Sequence, residues 1–338
     1  MKRKLLTGAA VVLSAVLAVG VYFLDIYSGH WRIATEEETL LFIPTGSDMA
    51  AVRESLSAIV PKINVLDKSA KVLKWTTVKP GRYLLSEGMT YFDLVRKLRN
   101  GNQDPLNVTF NNIRTIPQLA GVLARQLEPD SVALVEYLTH DTLAAYYGFK
   151  PETLIAMFIP NTYEFYWNTS LQGITNRFKR EYDLFWTPQR EAKLAEVGLS
   201  KIEVAILASI VNGESLMVDE MPTIAGAYIN RLKINMKLQA DPTVIFGIGD
   251  FSISRVLHSH LEYDSPYNTY KYGGLPPGPI CMPTVAAIDA VLNYGRHNYI
   301  FFCAKDDFSG YHSFAVTYSE HLRNAAAYQR ALNARDIR

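Results

Sequence analysis

The sequence has little cysteine and almost no net charge. Cys281 and Cys303 are the two cysteines in 338 residues and lack CxxC spacing, so neither a disulfide framework nor a cysteine-based zinc site is indicated. The 34 basic and 33 acidic side chains nearly cancel, and no basic run is long enough to follow a phosphate backbone. Nucleic acid is therefore a poor candidate partner.

Metal-ligating patterns are also scarce. His258 and His260 could chelate a metal, but no third histidine or carboxylate stands at a familiar ligand spacing around them. We therefore predict surface histidines, and neither a metal site nor a cofactor. A zinc hydrolase built on this pair is the least favoured alternative.

Apolar residues are abundant, and one long run of them lies at the N-terminus. They make up 49% of the chain, enough for a substantial core in one large or two ordinary domains. After three basic residues, Leu5 to Leu24 is uncharged, and about 20 apolar residues at 1.5 Å each span a bilayer of about 30 Å. We predict a cytoplasmic tail and transmembrane anchor in residues 1–28. The positive-inside bias places the rest outside the cytoplasm. A cleaved signal peptide is the alternative.

The patterns beyond the anchor predict an α+β fold. A strand from Gly81 to Leu85, a turn at Glu87 and Gly88, and a helix capped by Thr90 make a compact β-α unit at about 79–110. This unit looks like half of a LysM module, a small glycan-holding fold, although an ordinary β-α element fits the same residues.

Composition and turn signals suggest the domain limits. We predict an exported N-terminal region at 29–115, a helical spacer at 116–150 and a mixed α/β catalytic domain at 151–338.

One glutamate interrupts an apolar helix face. Ser200 and Glu203 form a capping box, which predicts a helix from Lys201. Glu214 lies four residues after Ile210 and so shares its apolar face. Desolvation would raise the pKa of this carboxyl toward neutrality, as a general acid requires. Alternatively, the helix reaches solvent at Glu214, or Arg231 pairs with that glutamate.

The segments that follow are polar and aromatic. An amphipathic helix is predicted from residue 226, ending in a polar turn around Pro242, and residues 265–283 are predicted to form an irregular loop with five prolines. Amide, hydroxyl and aromatic groups on such loops suit an uncharged polyhydroxylated substrate such as a glycan. The candidate substrate-binding residues are Arg231, Gln239, Asp241, Thr243, Tyr267, Asn268, Thr269, Tyr270 and His312.

Five motifs in the same order resemble one known family, the endolytic murein transglycosylases of the YceG-like (MltG) type. They are ASIVNGES (208–215), INRL (229–232), LQADPTV (238–244), SPYNTY (265–270) and GLPPGPI (274–280). Asn212 and Ser215 depart from the residues that family members often carry there. The resemblance extends from the anchor to about Tyr328, and it places Glu214 at the catalytic position.

The resemblance implies a peptidoglycan lytic transglycosylase of the inner membrane. It implies cleavage of the MurNAc-β-1,4-GlcNAc bond inside glycan strands, leaving a 1,6-anhydroMurNAc end. It also implies termination of nascent strands and penicillin-binding synthases as partners.

Two other functions remain open. One is a muramidase-type hydrolase in which Asp241 or Asp219 supplies a second carboxylate to Glu214. The other is a membrane-anchored glycan-binding scaffold without turnover.

Overall fold

A computed structural model of the chain describes residues 2–28, 39–86 and 88–335. These residues form a mixed α+β fold in which helices dominate and strands pair two at a time. They divide into two compact units. The N-terminal unit comprises Met1–Val108, Gln126–Pro129 and Tyr163–Ser170; the C-terminal unit comprises Thr109–Arg125, Asp130–Thr162 and Leu171–Arg338.

The N-terminal unit is built on an antiparallel strand pair. Its elements are α1 (Lys2–Ser28), β1 (Thr39–Ile43), α2 (Met49–Ser57), α3 (Ile63–Val72), β2 (Gly81–Leu85) and α4 (Tyr91–Asn100). β1 and β2 pair with Leu41 opposite Tyr83. Alternate residues of β2 point inward, so Tyr83 and Leu85 are buried with Leu94 and Leu98 of α4. Full burial of each such side chain contributes roughly 2 kcal/mol.

The predicted strand and helix of the β-α unit are confirmed. The Thr90 hydroxyl accepts from the Asp93 N–H at 3.1 Å, and α4 ends where Gly101 adopts a positive φ of 73°. Glu87 of the predicted turn lies outside the described residues.

The β-α unit at 79–110 is not self-contained. Its strand pairs with β1 near residue 40, and its helix shares a core with α2 and α3. A strand without a partner makes no inter-strand hydrogen bonds, which is why the folding unit includes the earlier strand β1.

α1 covers the residues predicted to form the membrane anchor. Across residues 2–28, 39–86 and 88–335, the structure contains no helix long and apolar enough to cross a bilayer, so it does not support the predicted transmembrane helix. Residues 29–38, the first part of the predicted exported region, lie outside the described part of the chain.

Two further strands, β3 (Leu106–Phe110) and β4 (Asn161–Phe165), pair with each other. The division between the two units falls within these strands. The sequence-based limits at residues 28, 115 and 150 stay predictions.

Helices make up most of the C-terminal unit. Its earlier elements are α5 (Ile116–Ala124), α6 (Ser131–Leu138), α7 (Asp141–Tyr146), a 3-10 helix (Pro151–Met157), α8 (Leu171–Phe185) and α9 (Pro188–Val197). The later ones are α10 (Lys201–Glu214), α11 (Met221–Lys233), α12 (Asp241–Ile248), α13 (His258–Leu261), α14 (Val285–Leu292), β5 (Phe301–Ala304), β6 (His312–Ala315) and α15 (Tyr318–Ala334).

α10 is the central helix of this unit. The predicted capping box is confirmed: the Glu203 carboxylate accepts from the Ser200 N–H at 2.8 Å, and the Ser200 hydroxyl accepts from the Glu203 N–H at 3.3 Å. Every residue from Val204 to Val211 is buried, and the helix packs against α11, α12 and α14. Its C-terminal residue is therefore held by a rigid, fully packed element.

Pro222 and Pro242 lie in the first turns of helices. The helix predicted from residue 226 begins at Met221 with Pro222 in its first turn, and Pro242 lies in the first turn of α12. The first turn tolerates proline because its N–H groups have no partner within the helix.

Candidate active site

Glu214 is the last residue of α10 and lies partly buried at the end of that helix's apolar face. Ser215 leaves the helix with extended backbone angles, so the chain turns away directly after the carboxyl group. The carboxyl group is therefore held at the end of a packed helix, on the apolar face that its spacing predicted.

Tyr228 of α11 is the direct partner of this carboxyl. Its hydroxyl donates to Glu214 Oε1 at 2.6 Å. Burial raises the pKa of Glu214 to about 7, opposed by this hydrogen bond and by Arg231, and assisted by the negative charge of Asp241. Glu214 therefore titrates near neutrality and can be a proton donor or acceptor there.

Arg231 lies near Glu214 but does not form the ion pair that the sequence left open. Its Nε donates to the Ile300 carbonyl at 2.6 Å, and Nη1 donates to the Leu238 carbonyl. Its guanidinium lies 5.7 Å from the Phe301 ring centroid. It is 7% exposed, so its charge acts on Glu214 through a dehydrated region, where it lowers the pKa of the carboxyl.

These groups surround a cavity of about 230 Å³, here called the polar cavity. Six of the predicted site residues line it together. The lining residues are Glu214, Tyr228, Arg231, Gln239, Asp241, Tyr270, Phe302, Cys303, Ala304 and His312.

Asp241 and Tyr270 form a second hydrogen-bonded pair on this cavity. The Tyr270 hydroxyl donates to Asp241 Oδ1 at 2.6 Å, and burial with the adjacent carboxylate raises the pKa of Tyr270 well above its usual range. Gln239, exposed beside them, adopts a positive φ of 48°.

Three predicted substrate-binding residues are buried away from the polar cavity. Asn268 donates to the carbonyls of Leu261 and Tyr263 at 2.9 and 2.8 Å, and the hydroxyls of Thr243 and Thr269 lie 2.8 Å apart. They hold the 265–270 loop against α12 because a buried polar side chain must find partners. Their contribution to the site is the position of Tyr270.

Tyr267 also lies outside the polar cavity. Its ring packs 4.7 Å from that of Phe246, and burial raises its pKa to about 12.

Glu214 and Asp241 also line a second cavity of about 590 Å³, here called the outer cavity. Its walls come largely from α12, the 254–256 segment and the end of α15. The remaining lining residues are Gly213, Pro242, Ile245, Ser254, Arg255, Val256, Tyr328, Gln329 and Leu332. Glu214 thus lies where two cavities meet.

A third cavity of about 730 Å³ shares Gly213, Pro242 and Ile245 with the outer cavity. At Gly213, α10 passes close to α12. A Cβ there would lie 2.9 Å from Pro242 Cβ and 3.1 Å from its Cγ. Glycine is therefore required for the two helices to approach this closely.

Sequence reasoning missed two site residues, Tyr228 and Glu220. Tyr228 has the spacing of an ordinary apolar residue in an amphipathic helix. Glu220 precedes α11, where an acidic residue is common, yet it is only 6% exposed and bonds to His312 of β6. A partner 92 residues away leaves no local signal.

The other carboxylate considered for catalysis lies elsewhere. Asp219 accepts from the Tyr311 hydroxyl at 3.0 Å and does not line the polar or outer cavity. In residues 2–28, 39–86 and 88–335, no three histidine, cysteine or acidic side chains cluster as metal ligands would.

The fold and site define an α+β protein in which one carboxyl group, with a pKa of about 7, lies where two cavities meet. Residues 41–327 match the YceG-like family, and the chain belongs to this family.

Similar proteins cover most of the chain. A Bacillus subtilis (strain 168) protein named endolytic murein transglycosylase is 29% identical over 310 residues, covering 85% of this chain and 83% of its own length. A protein of the same name from Streptococcus pneumoniae (strain D39) is 25% identical over 320 residues, and the match covers 57% of its length.

A similar fold is known from a crystal structure. It is that of a YceG-like protein from Listeria monocytogenes, with a TM-score of 0.58 at 25% identity, covering 86% of this chain and 99% of that one.

Proposed function

We propose that this chain is a lytic transglycosylase that cleaves peptidoglycan glycan strands internally, with Glu214 as its acid and base. The observation that carries the proposal is a carboxyl with a pKa of about 7 at the meeting point of two cavities. The relatives named endolytic murein transglycosylase support peptidoglycan as substrate.

The first step is protonation of the leaving group. Protonated Glu214 donates to the glycosidic oxygen while the bond to C1 breaks through an oxocarbenium-like state. At neutral pH about half of a group with this pKa is protonated, so acid catalysis needs no additional proton source. Such transfer contributes roughly 10² to 10⁴ in rate.

The second step closes a ring inside the product. The C6 hydroxyl of the same sugar attacks C1, and the Glu214 carboxylate takes the hydroxyl proton, which restores the acid. Because the nucleophile belongs to the substrate, its effective concentration reaches about 10⁵ M when it is well oriented. One carboxyl group therefore suffices, whereas an ordinary glycosidase uses two.

The chain also offers a second candidate function, hydrolysis by two carboxylates. Asp241 lines both cavities with Glu214, and its charge raises the pKa of that residue. As a base it could activate water, and the product would then carry a reducing end.

Product chemistry distinguishes these reactions. The purified full-length chain is incubated with uncross-linked glycan strands, and the released ends are identified by mass spectrometry. Wild type should give 1,6-anhydro ends, and Glu214→Gln should lose at least about two orders of magnitude in rate. Reducing ends throughout would favour the hydrolase.

The matched control is Glu196→Gln. Glu196 is an exposed glutamate of α9, with a weak surface contact to Lys193 at 3.4 Å, and its loss should leave cleavage unchanged. Equal cleavage by wild type and Glu214→Gln would contradict the role of Glu214. If neither cleaves but both bind strands, the glycan-binding scaffold is the correct function.

We also propose that the chain acts at the inner membrane with its catalytic part outside the cytoplasm. This rests on the basic residues and apolar run of residues 2–24 alone. Termination of nascent strands, association with penicillin-binding synthases and glycan binding by the LysM-like unit are further proposals that follow from the family resemblance. Membrane fractionation of cells expressing the chain, with an accessibility label on each side, tests the location.

A further inference from the structure

A buried carboxylate holds one wall of the polar cavity. Glu220 precedes α11, is 6% exposed, and binds His312 of β6 through both of its oxygens. Oε1 accepts from the His312 backbone N–H at 2.7 Å, and Oε2 lies 2.7 Å from His312 Nδ1. The Ser215 hydroxyl is 3.5 Å from Oε2, so Glu220 lies close to the turn that follows Glu214.

This pairing fixes which ring nitrogen of His312 carries the proton. A carboxylate can only accept hydrogen bonds, so Nδ1 must donate to it. In the neutral ring, the other nitrogen, Nε2, is then left with a lone pair and can only accept. Phe302 packs edge-on against the ring at 5.4 Å and restricts its rotation.

Nε2 of His312 has no protein partner among the described residues. His312 lines that cavity with Glu214, and no group in the described part of the chain bonds to Nε2. The Nε2 atom is also not fully buried. An oriented, unused acceptor therefore faces the space beside the catalytic carboxyl.

We infer that Glu220 is a positioning residue that fixes His312 so that Nε2 accepts a hydrogen bond from a hydroxyl or acetamido N–H of the sugar next to Glu214. This inference rests on the proposed function. A hydroxyl-rich sugar supplies such donors, whereas Arg231 on the same cavity can only donate.

His312 neither gains nor loses a proton in the reaction. Ring closure forms the C1–O6 bond and breaks the C1–O4 bond; Glu214 gives its proton to O4 and receives the proton of O6. The bond to Nε2 holds the sugar ring so that O6 rather than water reaches C1. A loosened ring admits water, and the product then carries a reducing end.

Two substitutions of Glu220 separate this role from packing. Glu220→Gln has the same shape, but its amide would donate to Nδ1, which moves the ring proton to Nε2 and turns the cavity-facing acceptor into a donor. Glu220→Asp is shorter but remains a carboxylate and keeps the tautomer. If Glu220 acted only through packing, Glu220→Asp would be the more damaging change. If it fixes the His312 tautomer, Glu220→Gln is the more damaging change.

The experiment measures kcat, KM and the ratio of anhydro to reducing ends on uncross-linked glycan, using the full-length chain and both variants. We expect Glu220→Gln to lose about tenfold in kcat, the equivalent of one hydrogen bond, with a higher share of reducing ends and a KM close to wild type. Glu220→Asp should retain more activity and the wild-type end ratio. The reverse order, or an unchanged end ratio in Glu220→Gln, would overturn the inference.

His312→Asn is the second variant and guards against a folding defect. The asparagine amide can still donate to Glu220 but has no atom at the Nε2 position. It should reproduce the Glu220→Gln kinetics, and the double variant should be no worse than His312→Asn alone. Additive losses would contradict the coupling. If wild type gives only reducing ends, the proposed transglycosylation fails, while the rate order of the two Glu220 variants still decides the role of Glu220.

Discussion

The two cavities that meet at Glu214 differ in what lines them. The polar cavity is small and carries the hydrogen-bonded pairs Tyr228 with Glu214 and Tyr270 with Asp241. The outer cavity is more than twice as large, and Ile245, Val256 and Leu332 are among its walls. From this difference we expect the polar cavity to control proton position and ring orientation, and the outer cavity to contribute mainly contact area to substrate binding.

Arg231→Met should produce the largest effect after loss of Glu214 itself. It keeps most of the side-chain volume but leaves the Ile300 and Leu238 carbonyls without a buried donor, at a cost of about 3 kcal/mol in unfolding free energy. Loss of the cation beside Glu214 should also reduce kcat/KM about a hundredfold. Chemical denaturation and product assays measure the two effects.

Its control is Arg190→Met. Arg190 also stacks on an aromatic ring, Phe185 at 3.9 Å, and pairs with Asp289 at 2.9 Å, but it lines neither cavity. This variant should lose stability without losing activity. Full activity in Arg231→Met would contradict the expected role of the polar cavity in catalysis.

Stability should depend on pH through Glu214. Because its pKa is raised from 4.5 to about 7, the folded state binds more protons than the unfolded state between these values, and wild type loses stability as pH rises through this range. The total change is about 3 kcal/mol, and Glu214→Gln should lack it. Urea unfolding at pH 4.5 and pH 8 tests this; parallel pH profiles for both proteins would show that the carboxyl is not desolvated.

Tyr228→Phe should shift the pH profile rather than abolish cleavage. The tyrosine hydroxyl favours the charged form of Glu214, so its removal raises the pKa of the carboxyl. In the wild type, kcat should fall as the pH rises above about 7; in Tyr228→Phe this fall should occur about one pH unit higher. A fall at the same pH in both proteins would mean that another group controls it.

The smallest effect is expected in the outer cavity. Tyr328→Ala removes a ring from its wall and should raise KM by about threefold with little change in kcat, because the ring binds substrate and transition state alike. Tyr318→Ala, on the same helix but in neither cavity, is the control. A fall in kcat without a change in KM would assign chemistry to the outer cavity.

Local sequence rules predicted the helix that carries Glu214. The capping box of α10 and its apolar spacing are encoded within fifteen residues, so both the helix and the exceptional position of Glu214 could be predicted. The glycine stop of α4 follows from the same kind of local rule.

Long-range pairing was beyond these rules. β2 pairs with β1 rather than within its predicted unit, and Glu220 bonds to His312 of β6, 92 residues further along the chain. Hydroxyl-bearing Thr243, Thr269 and the amide of Asn268 looked like ligands in the sequence, because residue type alone does not distinguish a loop-holding side chain from one in a cavity.

Gly213 makes the spacing between α10 and α12 adjustable by protein engineering. A Cβ at position 213 would lie only 2.9 Å from Pro242, the residue directly after Asp241. An alanine at position 213 would add one methyl group between the two helices and so move Glu214 and Asp241 apart while leaving both side chains intact. The distance between Glu214 and Asp241 could then be varied separately from the chemistry of either carboxyl group.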